Sequence, residues 1–362
     1  MPHPLSDQFR TQSRHCLPGS PLSASLLAAA ADDLDADGPT AAVMQPYERD
    51  RARTVPPLRL LGGLHRMVLE RQAPELALHY PSVGGTAPVR EVWPAARRLL
   101  ETQPERLSAL AGRPVQTNEV GRCAALIGVL HVLTERYGLP IRLFEFGASA
   151  GLNLNVDRYA YAVDNRVLGA ADSPLRLQAP WRGYPEADLA RPVEIVERAG
   201  CDSTPVDATT TEGRLTLASY VWADWVERLE RLRTALAVAA DHPVTVAAST
   251  AAPWLAHRLG WPRTGSLTVV WHSVVWPYVD VAERTEIERI LQAAADRATP
   301  TAPLALAGME YVDDSRFEVR LRTWPERRHD LLATTAGHGM PTTWLHPAQP
   351  DPPSMGQAMP AV

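Results

Sequence analysis

The fold is decided by residues 141–154, which read IRLFEFGASAGLNL. A short apolar run leads into a turn of small residues, Gly147 to Gly151, and then into the start of a helix. This order is typical of a parallel strand that passes through a tight turn into a crossover helix. Small residues let a ligand approach the backbone, and the amides of a helix N-terminus favour polar or negative groups. Glu145 in the strand favours a nucleoside cofactor with an amino group over a pyrophosphate.

The composition is that of an ordinary globular protein. Of the 362 residues, 45% are hydrophobic and 21% are charged, which suits one large domain or two small ones. The net charge of −5 gives no general attraction to nucleic acid or to an anionic membrane, so neither is expected as a partner. The 36 residues counted as Lys or Arg are all arginine, which excludes lysine-based catalysis.

The cysteines and histidines give no sign of a disulfide framework or a metal site. Cys16, Cys123 and Cys201 are few, odd in number and far apart. The scattered histidines lack metal-ligand spacing, so no metal is expected. Because neither a leader nor an apolar stretch of bilayer length is recognisable, a cytoplasmic protein is expected.

The hydrophobic pattern predicts two domains. Residues 1–115 have helical apolar spacing and almost no alternating pattern, so they are expected to form a helical cap. Residues 116–345 are expected to form a Rossmann-like α/β domain, because strand and helix patterns alternate from 141 to 306. That alternation implies a parallel sheet with helices on both faces. Within this domain, residues 159–178 are expected to form an inserted hairpin that turns at Asp164-Asn165.

The end of the chain carries two further strand patterns. Residues 317–323 alternate in period two, residues 342–345 form a last candidate strand, and no helix pattern separates them. We therefore expect an antiparallel hairpin at one edge of the sheet, an arrangement that distinguishes a methyltransferase sheet from a standard dinucleotide-binding fold. Residues 346–362, rich in Pro and small or polar residues, are expected to be disordered.

The turn is best interpreted as an S-adenosylmethionine loop. Its glycines would let the methionine part of the cofactor lie on the backbone, and Glu145 would hold the ammonium group. Asp202, after the second strand, would accept the ribose hydroxyls, although it lies well beyond the usual spacing of about 20 residues. The inserted hairpin accounts for the excess, and a turn-capping role for Asp202 is the alternative. The predicted cofactor-binding residues are Glu145, Gly147, Ala148, Ser149, Gly151, Asn153 and Asp202.

Three residues are candidates for catalysis. His272 follows the fourth strand pattern, where ligands of open α/β sheets bind, and a histidine can act as a general base near neutral pH. The alternative for His272 is a buried side chain that is hydrogen-bonded to the backbone. Asp157 and Tyr159 could line an acceptor pocket, but an ion pair and core packing explain them equally well. Spacing leaves open whether Glu119 and Arg122, at the start of the helix before residue 141, reach the same site.

The same turn also spells the nucleophile elbow of α/β-hydrolases, Gly147-x-Ser149-x-Gly151. The chain order suits a catalytic triad, because acids and histidines follow downstream. The candidates are Asp280, Asp313, His329 and His338. A hydrolase needs strands and an oxyanion loop before the elbow, however, and residues before 141 have helical patterns. An esterase that uses Ser149 is therefore an alternative, and a non-catalytic nucleoside-binding or small-ligand-binding protein is another.

Motifs along most of the chain resemble a bacterial family known as domain of unknown function 2332. The matching segments are residues 116–122, 145–154 and 157–159, Gly200-Cys201-Asp202 with Pro205, Trp222-Ala223-Asp224, and His338-Gly339. The resemblance implies a methyltransferase-like Rossmann sheet behind a helical cap, and it brings no established activity. One departure is Ser149, where methyltransferases commonly have glycine. The strand–turn–helix unit with Glu145, the strand–helix series after it and the terminal strand pair together lead us to expect an S-adenosylmethionine-dependent methyltransferase that acts on a small molecule.

Overall fold

The computed structural model describes residues 3–50, 54–313 and 316–350, and it describes no side chains for 347–350. The chain divides into two compact units. The first comprises the described residues up to Thr117 together with Val206–Arg233. The second comprises Asn118–Pro205 and the described residues from Thr234 onward. Each unit has its own cluster of buried apolar side chains.

Helices account for much of the described chain, and several of them begin with proline, whose missing amide has no partner to lose in the first turn. None of the described helices has the length and apolar character needed to cross a bilayer. The helices are α1 (Ser6–Cys16), α2 (Pro21–Asp35), α3 (Pro39–Met44), α4 (Pro56–Leu69), α5 (Pro74–Ala77), α6 (Val92–Thr102), α7 (Pro104–Ala111), α8 (Cys123–Tyr137), α9 (Thr211–Ser219), α10 (Val226–Asp241), α11 (Ala251–Arg258) and α12 (Val281–Ala295).

Segment Val206–Arg233 belongs to the helical unit, so the predicted continuous domain of residues 116–345 needs correction. The physical reason is side-chain packing. The Asp224 carboxylate accepts hydrogen bonds from Ser20 Oγ at 2.5 Å and from the Leu22 amide at 3.1 Å, and thereby caps α2. Tyr220 packs closely over the backbone of Gly62 in α4. Helix α9 lies within this segment, and α10 begins in it.

Strands form the framework of the second unit, which contains every strand found in the described residues. They are β1 (Ile141–Phe146), β2 (Ala160–Val163), β3 (Arg166–Gly169), β4 (Arg176–Gln178), β5 (Trp181–Arg182), β6 (Ile195–Asp202), β7 (Val246–Ala248), β8 (Leu267–Ser273), β9 (Leu304–Asp313), β10 (Arg316–Trp324), β11 (Arg328–Thr335) and β12 (Thr342–Pro350). Strands β2 and β3 pair antiparallel across Asp164-Asn165, the predicted turn, and β4 adds parallel to β2.

The main sheet has nine strands in the described chain, in the order β5-β12-β11-β10-β9-β8-β1-β6-β7. Strands β9, β8, β1, β6 and β7 are parallel to their neighbours within this group. The prediction of an α/β protein with a mostly parallel sheet is therefore confirmed. The chain first adds β6 and β7 on one side of β1, and then β8 and β9 on the other. This change of direction is a topological switch point, where open α/β sheets bind ligands.

The closing strands differ from the single predicted hairpin. Strand β11, which the sequence analysis missed, lies between β10 and β12 and pairs antiparallel with both. Strand β10 pairs antiparallel with β9 as well, so β9 to β12 form a meander. The prediction of a disordered tail from residue 346 is wrong for its first residues, because β12 extends through Pro350. The rest of that predicted tail, residues 351–362, lies outside the described residues.

Side chains on β1 alternate between the two faces of the sheet. Phe144 and Phe146 belong to the buried apolar cluster that includes α11 and α12 side chains such as Trp254 and Ile287. Glu145, between the two phenylalanines, points to the opposite face. The Glu145 carboxyl group therefore lies near the carboxyl end of β1, at the switch point of the sheet, on the face opposite to the two phenylalanines.

Candidate functional site

The turn after β1 requires left-handed backbone at three positions. The φ angle is +68° at Gly147, +54° at Ser149 and +74° at Gly151. Glycine adopts this conformation readily, whereas it is uncommon for serine. The side chain of Val275 packs over Gly147, where a Cβ would overlap it. The glycines therefore serve the sharp turn and its close packing.

The amides of the turn are satisfied from within the protein, contrary to the expected open helix N-terminus. Asn118 Oδ1 accepts hydrogen bonds from the amides of Ala150 and Leu152 at 3.1 and 3.2 Å. The Ser149 amide donates to Asp202 Oδ2 at 2.9 Å. The helix that follows, over residues 152–158, is of the 3-10 type. Ligand recognition at this turn therefore depends on side chains, and its acids disfavour an anion.

Glu145 is the most deeply buried acid of the turn, with 2% of its surface exposed. Its Oε1 accepts a hydrogen bond from Asn153 Nδ2 at 3.2 Å, whereas its buried Oε2 has no hydrogen-bond partner among the described residues. Burial raises the pKa of Glu145 to about 8, against the opposing effects of the Asn153 hydrogen bond and the Arg122 charge. A cation against Oε2 would favour the charged carboxylate.

Asp202 lies at the end of β6, beside the turn. Its Oδ2 holds the Ser149 amide, and its Oδ1 accepts the Thr204 amide at 2.9 Å. The structure thus shows the turn-capping role. Each carboxylate oxygen has capacity for a further hydrogen bond, so the ribose-binding role stays a prediction.

His272 lies near the carboxyl end of β8 and is mostly buried. Its Nδ1 is 2.7 Å from Glu310 Oε1, on β9. The rings of Phe146 and Trp276 stack against the imidazole, with centroids 4.9 and 5.3 Å away. A carboxylate, rather than the backbone acceptor of the alternative interpretation, therefore orients His272. Glu310 was not among the predicted site residues, because its only signal in the sequence is a charge after the apolar run of Leu304 to Met309.

Glu145 and His272 leave the sheet on opposite faces. In the register of β1 with β8, Glu145 is opposite Trp271, and His272 therefore shares the face of Phe146. A ligand reaches both side chains only if it extends across the carboxyl ends of the strands.

Arg122 lies at these strand ends, a placement that spacing had left open. Its Nη1 donates to the Ser273 carbonyl at 3.0 Å, and its charge acts on Glu145. Nearby, Glu119 Oε1 accepts the Gly121 amide at 2.8 Å, and His338 Nδ1 lies 3.8 Å from Glu119 Oε2. The segment before α8 therefore contributes to the candidate site.

Asp157 and Tyr159 have structural partners. Both carboxylate oxygens of Asp157 accept from Arg198, at 2.6 and 2.9 Å. The Tyr159 hydroxyl is buried and donates to the Leu152 carbonyl at 2.5 Å, and burial raises its pKa well above the ordinary value. Both residues therefore have the ion-pair and packing contacts of the alternative interpretation, and their catalytic role stays a prediction.

A serine triad is not assembled in the described part of the chain. Ser149 Oγ is buried and has no hydrogen-bond partner there, whereas a nucleophilic serine needs a histidine within reach. Asp280 instead caps α12 through the Glu283 amide at 2.9 Å. Asp313 pairs with Arg316 at 3.3 Å.

The described residues also lack a grouping of three or more His, Cys, Asp or Glu side chains suited to a metal ion. Cys16, Cys123 and Cys201 are free thiols, and all three are buried. Cys123 Sγ lies 3.4 Å from Asn153 Oδ1, so it packs behind the residue that donates to Glu145.

These features define an open α/β protein with a buried acidic site at the switch point of its sheet. The chain belongs to the family described as an uncharacterized protein conserved in bacteria (DUF2332), whose model matches residues 6–344. The family resemblance inferred from the motifs is thereby confirmed. No match was found among curated proteins or among solved structures.

Proposed function

We propose that this protein binds S-adenosylmethionine at the carboxyl ends of β1 and β6 and transfers its methyl group to a small molecule. The observation that carries the proposal is Glu145 Oε2, a buried acceptor without a hydrogen-bond partner in the described structure. An unpaired buried polar atom is costly, and the ammonium group of the cofactor would pair with it. Its position at the switch point is where an open α/β sheet receives a ligand.

The charge of the turn supports this choice over a phosphate ligand. Its amides already donate to Asn118 and Asp202, and the buried Glu145 Oε2 and Ser149 Oγ have no hydrogen-bond partner in the described structure. The remaining lone pairs of Asp202 suit ribose hydroxyls. The order β7-β6-β1-β8-β9, with β1 central and all five strands parallel, supports a methyltransferase-like arrangement with a nucleoside at β1.

In this proposal, residues on the two faces of the sheet have different roles. Glu145 anchors the amino group, and Asp202 orients the ribose while it holds the turn. When bound, the cofactor supplies an electrophilic methyl group on its sulfonium. His272 accepts the proton that the methyl acceptor releases.

Isothermal titration calorimetry with S-adenosylmethionine and S-adenosylhomocysteine tests the binding claim. We expect both to bind, and we expect Glu145→Gln to weaken binding by about tenfold or more, since a charge-assisted hydrogen bond is lost. Glu197→Gln is the matched control, because that carboxylate pairs with Arg142 away from the turn. If folded wild-type protein gave no heat of binding in either titration, the proposal would be contradicted.

Two further measurements address the alternatives. Transfer of a radiolabelled methyl group to the small-molecule fraction of a bacterial extract separates an enzyme from a non-catalytic binder, which would bind without transfer. A fluorophosphonate probe addresses the esterase. The positive φ of Ser149 agrees with a nucleophile elbow, but its Oγ has no base within hydrogen-bonding distance in the described chain. We expect no label on Ser149, and a labelled Ser149 would favour the esterase.

A further inference from the structure

We infer that Glu310 is a positioning residue that fixes a proton on Nδ1 of His272 and leaves Nε2 as the proton acceptor for a hydroxyl or amino group of the substrate. The inference rests on the proposed function and adds to it the class of methyl acceptor.

Glu310 is itself held in place. Its Oε1 lies 2.7 Å from His272 Nδ1 and also accepts the amides of Val275 and Trp276 at 3.2 and 3.4 Å. Because two backbone N–H groups already donate to this oxygen, Oε1 acts as an acceptor. His272 Nδ1 must therefore donate, and the neutral ring then has its lone pair on Nε2.

The packing around the imidazole restricts the ring and places only a glycine beside that nitrogen. Phe146 and Trp276 stack against the ring at interplanar angles of 22° and 28°, which restricts its rotation. Gly308, on β9, lies beside the opposite edge. A Cβ at position 308 would lie 2.5 Å from Nε2, so glycine there keeps a side chain away from the proton-accepting atom.

The pair suits an acceptor that must lose a proton when it is methylated. The acceptor oxygen or nitrogen forms the new bond to the methyl carbon, and the electron pair of the carbon–sulfur bond returns to sulfur, giving a neutral thioether. The acceptor proton passes to His272 Nε2. The resulting imidazolium is stabilised by the Glu310 carboxylate 2.7 Å from Nδ1.

Histidine ¹⁵N chemical shifts in the full-length protein report which ring nitrogen carries the proton. With His272 assigned through His272→Gln, we expect a protonated Nδ1 and an unprotonated Nε2 at mildly alkaline pH. Glu310→Gln should keep this tautomer, because an amide oxygen still accepts. Glu310→Met should lose it, because the side chain has a similar length but no strong acceptor. Glu318→Met is the matched control, since Glu318 faces Glu310 across β9 and β10 and pairs with Arg320.

A proton on Nε2 in the wild type, or a Glu310→Met tautomer identical to the wild type in folded protein, would overturn the inference. Thermal unfolding of each variant shows whether it has folded. Titration with S-adenosylhomocysteine keeps the two claims apart. Binding together with an Nε2 proton would remove the inference alone, and the expected tautomer without binding would remove the proposed cofactor alone.

Discussion

At the scale of single residues, the most consequential feature is a carboxyl group that burial keeps largely uncharged. Glu145 has one hydrogen bond, from Asn153, and its pKa is raised to about 8. In the unfolded chain its pKa returns to an ordinary value near 4.5. Between those values the folded protein binds a proton that the unfolded chain has lost. The contribution of Glu145 to stability is therefore complete below about pH 4.5 and is lost as the pH rises towards 8.

We expect Glu145→Gln to remove this dependence on pH. The wild type should lose about 1.4 kcal/mol of its free energy of unfolding per pH unit within that window, relative to the variant. Urea denaturation of both proteins at a series of pH values measures the difference. Glu197→Gln, at a partly buried ion pair, should parallel the wild type. Parallel curves for wild type and Glu145→Gln would show that Glu145 ionises normally in the folded state.

At the scale of elements, two adjacent glycines of α4 make a matched test of the packing. A Cβ at Gly62 would lie 2.5 Å from the Tyr220 ring, whereas a Cβ at Gly63 would meet Leu110 at an ordinary 3.4 Å. Alanine is favoured over glycine in a helix interior by about 1 kcal/mol. We therefore expect Gly63→Ala to raise the melting temperature and Gly62→Ala to lower it, by overpacking. Equal effects of both substitutions would mean that Tyr220 does not pack on α4.

The elements that sequence predicted best depend on local signals. The strand, turn and helical start of residues 141–158 follow one another directly, and two glycines mark two of the three positive φ values of the turn. Strand β11 was missed because its pattern is interrupted by a charge. Asp330 is buried within it, and its Oδ2 lies 2.7 Å from Arg136 Nη1. A buried ion pair depends on a partner far away in sequence, so periodicity could not reveal it.

The candidate site likewise combines residues that the sequence located with partners that it could not reveal. Glu145, Asp202 and His272 stand at strand ends that the sequence located, and the structure puts each of them near the expected edge. Their partners could not be predicted, because Asn118 and Glu310 reach the site through tertiary contacts over 32 and 38 residues of chain. Those partners determine which groups of the site remain available to a ligand. Asn118 accepts hydrogen bonds from the turn amides, and Glu310 orients the imidazole of His272.

At the scale of the whole molecule, one buried group in each unit should give an opposite response to pH. The helical unit contains His65, which is buried against Val221 and Ser82, and burial lowers its pKa to about 4. Its unfolded pKa is near 6.5, so its contribution to stability is present above that value and is lost as the pH falls towards 4. The α/β unit contains Glu145, whose contribution is lost on the alkaline side.

Hydrogen–deuterium exchange, corrected for intrinsic rates, resolves the two responses. We expect amides of α4 to lose protection first on acidification and amides of β1 to lose protection first as the pH rises towards 8. His65→Gln should reduce the acid effect in α4 and leave the alkaline effect in β1 unchanged. Equal loss of protection in both units at each pH would mean that they unfold together.

The central claim is that a nucleoside cofactor lies at the switch point of the sheet and places its amino group on Glu145. A crystal structure with S-adenosylhomocysteine tests it directly. We expect the ligand to lie across the carboxyl ends of β1 and β6, with its amino nitrogen hydrogen-bonded to Glu145 Oε2 and its ribose hydroxyls at Asp202. A ligand bound elsewhere, or a ligand-free switch point in crystals grown at saturating concentration, would contradict it.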